Sequence, residues 1–327
     1  MKNIINILLL FSPSFIHIRI RRLMGQKIGS GVKLKLGTLI ITNVLEIGDN
    51  SKLGPFTFIK SNELRIGEST IIKPFAIIKT FKVDIFNYVH IAPLCVINSE
   101  FTENSRIEIG DHSRIFPFCW LDTGEGIKIG KQVGVGGHTL MFTHGVWSNF
   151  VEGGPVDSGP IEIKDNVWLP WRVFILPNVT IGKNTIVGAN SLINKDVKDN
   201  MLVAGSPAKD IKKLKFDNSQ RSERLNTILR KYSDYINFKL KIQSQYKKNK
   251  LLFKSNKIVI DDFDNLCNGD LLIILDKNYD NIKHFKKKKI SVIDYKAMTF
   301  YLNGNKNIKI LQFNNFLRRF GVRLNVK

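Results

Sequence analysis

From Ile163 to Ile193 an aliphatic residue recurs at every sixth position without a break: Ile163, Leu169, Ile175, Ile181, Val187, Ile193. The same step runs through Ile47, Leu53 and Ile59, through Ile66, Ile72 and Ile78, and through Ile85, Ile91 and Ile97. It continues at Ile109, Ile115 and Leu121, then at Ile129, Val135 and Met141. Each set opens near an Ile-Gly phrase or its relic, as in Ile47-Gly48-Asp49-Asn50, Ile66-Gly67-Glu68-Ser69 and Ile181-Gly182-Lys183-Asn184. A period of six with one obligate aliphatic fits neither an α-helix nor a simple alternating strand. It fits a triangular prism with a short flat strand on each of three faces. The aliphatic side chain points inward and stacks under its equivalent one coil, 18 residues, later. Gly or Asn at the corners tolerates backbone angles that branched residues resist. Stacked coils bury a continuous aliphatic column that no single repeat could bury. The predicted fold is therefore mainly β, a left-handed parallel β-helix of hexapeptide repeats over residues 27–210.

The rhythm fails between Met141 and Ile163. Gly145, Gly153, Gly154, Pro155, Gly159 and Pro160 crowd this stretch, which predicts a loop over 142–160 inserted at a prism corner. Insertions that leave the coils on either side intact are where function usually sits, and this one contains His144. A second, polar break at 98–106 reads as a looser corner.

Outside the prism the pattern changes twice. Residues 1–26 predict a short N-terminal helical segment. Its apolar run Met1–Phe11 is too short to span a bilayer and lacks the flanks of a signal peptide. The following apolar and basic stretch suits either an interfacial helix or packing on the prism itself. Residues 211–327 predict a basic C-terminal appendage. One or two charged helices over 218–248 carry Leu225, Ile228, Leu229, Tyr232 and Ile236 at helical spacing. Apolar runs at Lys257–Ile260, Leu271–Leu275 and Ile290–Ile293, then a closing helix Phe313–Phe320, complete a small α/β unit.

Charge sharpens this division. Of the net +22, residues 211–327 contribute 27 Lys+Arg against 10 Asp+Glu, leaving the prism nearly neutral. A solvated lysine-rich face and an anionic partner both account for that imbalance. The run Lys286–Lys289 suits an anionic lipid-linked glycan, a membrane surface or nucleic acid. Nucleic acid is the least favoured, because neither an aromatic-rich RNA platform nor a helix-turn-helix signature is present. Three cysteines, Cys95, Cys119 and Cys267, form no CxxC pair. They predict reduced thiols and a cytoplasmic protein, the inner face of the membrane being the alternative place.

Three phrases carry a family resemblance. One is Phe142-Thr143-His144-Gly145; the second is Ile161–Trp168 followed by Ile175–Gly182; the third is Val187–Asp196 leading to Ala204-Gly205-Ser206-Pro207-Ala208-Lys209. Together they resemble the hexapeptide-repeat acyltransferases, in the branch that O-acetylates sugars, over roughly residues 20–212. The resemblance implies acetyl-CoA as donor and, as acceptor, a hydroxyl of a sugar in a surface polysaccharide, lipopolysaccharide or capsule unit. It also implies a homotrimer with its substrates in clefts between prisms, and no metal. It puts His144 in the place of the general base, a role that suits imidazole because its pKa lies near the operating pH. The coil that in such relatives often supplies an orienting Asn or Asp reads Phe118–Thr123 here and has no Asn. Asp122 is the first candidate for that orienting role and Glu152, in the loop, the second. Trp120 and Trp147 would wall the sugar site, unless they pack between subunits. On the donor side the resemblance places Trp171 and Ala189 along the pantetheine arm, and Asn194, Lys195 and Lys209 near the phosphates or adenine. Pro170-Trp171 stands where the family often has Gly-Ser or Gly-Ala, which puts the Trp171 contact in doubt.

Three other readings stay open on the sequence. An amino sugar nucleotide would make the enzyme an N-acetyltransferase. A zinc enzyme of the γ-carbonic-anhydrase type needs three converging histidines, and His90, His112, His138 and His144 do not match that spacing. A non-catalytic trimeric scaffold with a basic binding tail would bind no CoA.

Overall fold

In the computed structural model the six-residue step becomes three sheets of eight, ten and eight strands, parallel except for the last strand of the second, that form the faces of a left-handed β-helix. The structure describes residues 2–145, 149–247, 249–253, 257–261, 266, 270–275, 285, 288, 290–295, 299–303 and 308–326. The aliphatic column is continuous. Ile47 pairs with Ile66, Ile66 with Ile85, Ile85 with Ile109, Ile109 with Ile129, Ile129 with Ile163 and Ile163 with Ile181. All are essentially excluded from solvent. Each strand turns alternate side chains inward, and the next coil supplies the hydrogen bonds and the packing.

The coil length departs from the expected 18 residues. It is 19 from Ile47 to Ile66 and from Ile66 to Ile85, and reaches 18 only from Ile163 to Ile181. The first-face strands explain this. Val44–Ile47, Glu63–Ile66 and Lys82–Ile85 are four residues long and bury a second side chain each, Leu45, Leu64 and Val83.

The corners also differ from expectation. One has Asn50, Ser69, Tyr88, His112, Gln132, Asn166 and Asn184 at positive φ, largely the polar set that tolerates it. The next has Phe56, Phe75, Leu94, Phe118, His138 and Arg172 in the same conformation. A left-handed residue with a Cβ costs about 1–2 kcal/mol. Contact with the neighbouring coil offsets part of it: the Phe56 and Phe75 rings stack at 5.4 Å and those of Phe118 and His138 at 5.0 Å. Just inside the corners, small polar side chains bond to the next coil's carbonyls. Ser51 donates to Gly67 O, Thr70 to Phe86 O and Ser113 to Gly130 O. Cys95 and Cys119 occupy such positions as buried free thiols, donating to Phe116 O and Gly136 O. Its hydrogen bonding to the Cys95 sulfur, together with burial, pushes the Cys119 thiol up. Cys267 lies outside the described residues.

Two helices rather than one precede the prism, α1 (Lys2–Leu9) and α2 (Ser14–Leu23), and they pack on its first coil. Arg21 is buried there with no carboxylate partner among the described residues; its guanidinium donates to His17 Nε2, Gln26 Oε1, Asn6 Oδ1 and Ile40 O. Burial lowers its pKa to about 10. At the far end, Met201–Gly205 joins the second sheet and Ala208–Lys213 folds back antiparallel to it. That last strand runs through the boundary expected at residue 210, and the first unit extends over Met1–Lys215.

The second unit, Phe216–Lys327, has its own seven-stranded sheet and its own core. Helix α3 (Arg221–Lys239) contributes Leu225, Leu229, Tyr232 and Ile236, and helix α4 (Ile308–Leu317) contributes Phe313, Phe316 and Leu317. The three apolar runs form strands Lys257–Ile260, Leu271–Ile274 and Ser291–Asp294, paired in parallel. The helix expected to reach residue 248 stops at Lys239, because Gln245–Lys247 pairs as a hairpin with Lys250–Leu252. Of the lysine run at 286–289 only Lys288 is among the described residues. No helix among the described residues is long and apolar enough to cross a membrane.

Candidate active site

The strand Trp120–Asp122 stacks under Leu140–Met141, with Trp120 opposite Leu140 and Leu121 opposite Met141. Beyond Met141 the chain does not turn into the next coil. His144–Gly145 pairs antiparallel with Asp157–Ser158, and the prism resumes at Ile161. This arrangement sets Thr143 and His144 beside Asp122 of the coil below.

The Asp122 side chain is 12% exposed, that of His144 50%. Asp122 Oδ1 lies 3.1 Å from His144 Nδ1. The same oxygen accepts from Thr143 Oγ1 at 2.9 Å and from Gly124 N at 3.2 Å. Thr143 Oγ1 in turn accepts from Glu125 N at 3.1 Å, which fixes its own proton toward Asp122. A carboxylate facing Nδ1 accepts that nitrogen's proton, so the ring holds the tautomer with a lone pair on Nε2. A half-exposed imidazole oriented this way can take a proton from a hydroxyl and give it back.

The other expected positions are spread more widely. Glu152 ends an exposed 3-10 turn, Phe150–Glu152, with no bond to His144 among the described residues. Trp147 lies outside the described residues. Trp120 is 44% exposed on the outer side of the strand that ends in Asp122. Ala189, Asn194, Lys195 and Lys209 are exposed in the last turns of the first unit. No hydrogen bond joins them to the His144–Asp122 pair. His112 stacks on Tyr88 and His138 on Phe118, both at corners, and His90 lies on the strand His90–Ile91. Among the described residues no three His, Cys, Asp or Glu side chains gather as a metal cage would require.

No family model matches the chain. A Schizosaccharomyces pombe protein named as an acetyltransferase is 49% identical over 55 residues, 17% of this chain and 27% of that protein. Escherichia coli galactoside O-acetyltransferase is 29% identical over 128 residues, 32% of this chain and 63% of the relative. The solved hexapeptide-repeat-containing acetyltransferase of Vibrio cholerae is 34% identical, over 38% of this chain and 73% of that one, with a TM-score of 0.33. The chain belongs to the hexapeptide-repeat acyltransferase family. It spans about a quarter to a third of the first curated relatives it matches, 27% of one and 34% of another.

The prism carries a further feature that its residue spacing left unread. The stretch Val133–His138 holds Gly134, Gly136 and Gly137. A Cβ at Gly134 would stand 2.4 Å from the Trp168 ring, and one at Gly137 would stand 2.5 Å from the Trp171 ring. The glycines make a floor on which the next coil's two tryptophans lie. Trp171 therefore rests along the prism, tilted against His138 at 5.8 Å, and keeps 48% of its surface open. The signal was present as Gly134 and Trp168 in register. Reading it requires knowing that this coil has 34 residues and not 18.

Proposed function

We propose that this acyltransferase moves an acetyl group from acetyl-CoA to a hydroxyl of a sugar, in a surface polysaccharide, lipopolysaccharide or capsule unit. The observation that carries the reading is the His144–Asp122 pair beside an inserted loop, with Nε2 directed away from the carboxylate. His144 Nε2 takes the proton of the sugar hydroxyl as its oxygen attacks the thioester carbonyl carbon. The tetrahedral adduct then collapses, the carbon–sulfur bond breaks, and the proton returns from His144 to the sulfur. The products are the sugar acetate and CoA thiol. Asp122 balances the imidazolium that exists between the two transfers. The donor is supported by the Vibrio cholerae relative, which has been solved with acetyl coenzyme A. The acceptor class is supported by the E. coli relative's name, galactoside O-acetyltransferase. In this reading Trp120 and Trp147 wall the sugar, Trp171 and Ala189 flank the pantetheine arm, and Asn194, Lys195 and Lys209 meet the phosphate end. The assembly is a homotrimer and the compartment the cytoplasm, in keeping with the buried free thiols of Cys95 and Cys119.

His144→Ala should lower kcat by roughly 10²–10⁴-fold, the usual worth of a general base. Transfer from acetyl-CoA to a panel of hydroxyl and amino sugars measures this and identifies the acceptor. Turnover near the parent's would remove His144 from the mechanism, and preference for amino sugars would move the enzyme to N-acetylation.

A further inference from the structure

The two N-terminal helices bury one side and leave large apolar side chains exposed on the other. Leu9, His17 and Arg21 face the first coil and are buried. Facing away are Ile7 at 59% exposed, Leu8 at 70%, Phe11 and Phe15 at 72% each and Leu23 at 81%. The inner side alone seals the prism, so these five large side chains add nothing to its packing. Contiguous exposed apolar surface of this kind marks an interaction site.

Its electrostatic frame narrows the partner. The first 45 residues contain Lys2, Arg19, Arg21, Arg22, Lys27, Lys33 and Lys35, and the first carboxylate of the chain is Glu46. Arg19, Arg22, Lys33 and Lys35 are exposed on the helices and the first coil, while Lys27 is paired with Glu46 at 2.8 Å. Apolar side chains rimmed by cations, on helices too short to span a bilayer, match the interfacial zone of an anionic membrane. A second copy of the same surface fits worse. A two-fold contact would set one cationic rim against another, with no carboxylate from this segment to neutralise either.

We propose that the α1–α2 cap docks the protein on an anionic lipid surface, with Leu8, Phe11, Phe15 and Leu23 entering the headgroup boundary and the basic rim meeting lipid phosphates. The contact is peripheral and salt-sensitive, and it is separate from the His144 site.

Flotation of the full chain with phosphatidylcholine vesicles, with and without phosphatidylglycerol, tests this. Binding is expected only with phosphatidylglycerol and should weaken severalfold as salt is raised. The variant Leu8→Ser/Phe11→Ser/Phe15→Ser should lose at least tenfold in binding while keeping the parent's thermal midpoint. Because the C-terminal unit is also basic, a triple variant that floats as well as the parent would overturn the proposal. Absence of flotation by the parent, or self-association through the cap in place of vesicle binding, would do the same. If the triple variant folds poorly, Leu23→Ser on α2 alone must still weaken flotation. Vesicles must also slow amide exchange within residues 2–23 of the parent.

Discussion

Asp122 Oδ1 accepts from a threonine hydroxyl, a backbone amide and an imidazole at once, and each of these bonds points the carboxylate at His144. Asp122→Asn would keep the shape and change the donor pattern, because an amide can present its NH₂ to Nδ1 and leave the proton on Nε2. We expect kcat to fall by about 10²-fold or more with KM little changed, measured by steady-state kinetics at saturating donor. The sequence put Asp122 first and Glu152 second for the orienting role, both being carboxylates near a loop histidine. The choice between them follows from register: Leu121 pairs with Met141, so the residue after Leu121 sits below the residues after Met141. A different titration governs the cap. Burial, then the Arg21 charge, lowers the His17 pKa from 6.5 to about 4. The folded state thus prefers neutral His17. The resulting stability, about 3 kcal/mol at most, is complete above pH 6.5 and is lost as pH falls through 4. Chemical denaturation between pH 7 and 4 should show this loss, and His17→Gln should flatten it.

At the scale of the element, close approach between coils decides which residues are allowed. A Cβ at Gly130 would stand 2.5 Å from Asp165 Oδ1 and 2.8 Å from Asp165 N, where backbone cannot retreat without opening the coil. Gly130→Ala should therefore cost more than about 2 kcal/mol and lower the thermal midpoint by several degrees. The period of six was fully legible because burial of one side chain per strand is a local, repeating demand. The Phe56–Phe75 corner was not, since a ring at positive φ is unfavourable alone and becomes acceptable only through its neighbour one coil away. The hairpin that ends α3 was missed for a related reason. Gln245–Lys247 has no strand pattern of its own and takes its conformation from Lys250–Leu252.

Across the whole molecule, a nearly neutral prism is followed in sequence by a basic unit with a separate core. Along the sequence, period and charge both change where the prism gives way to that unit. Stacking also makes the prism a ruler. Each coil adds about 4.8 Å, and the His144 loop leaves the sixth coil, so the site stands roughly 24 Å above the coil that the helical cap covers. If the cap lies on a membrane and the proposed sugar acetylation holds, the site works at one fixed height and selects, among anchored acceptors, sugars held at that distance. Deleting Gly67–Ile85 removes one 19-residue coil and lets Ile66 take the place of Ile85 in the register. Turnover of a free sugar should stay unchanged in that variant, while the preferred length of a lipid-anchored glycan, read by mass spectrometry of the acetylated chains, should shorten by about one sugar unit.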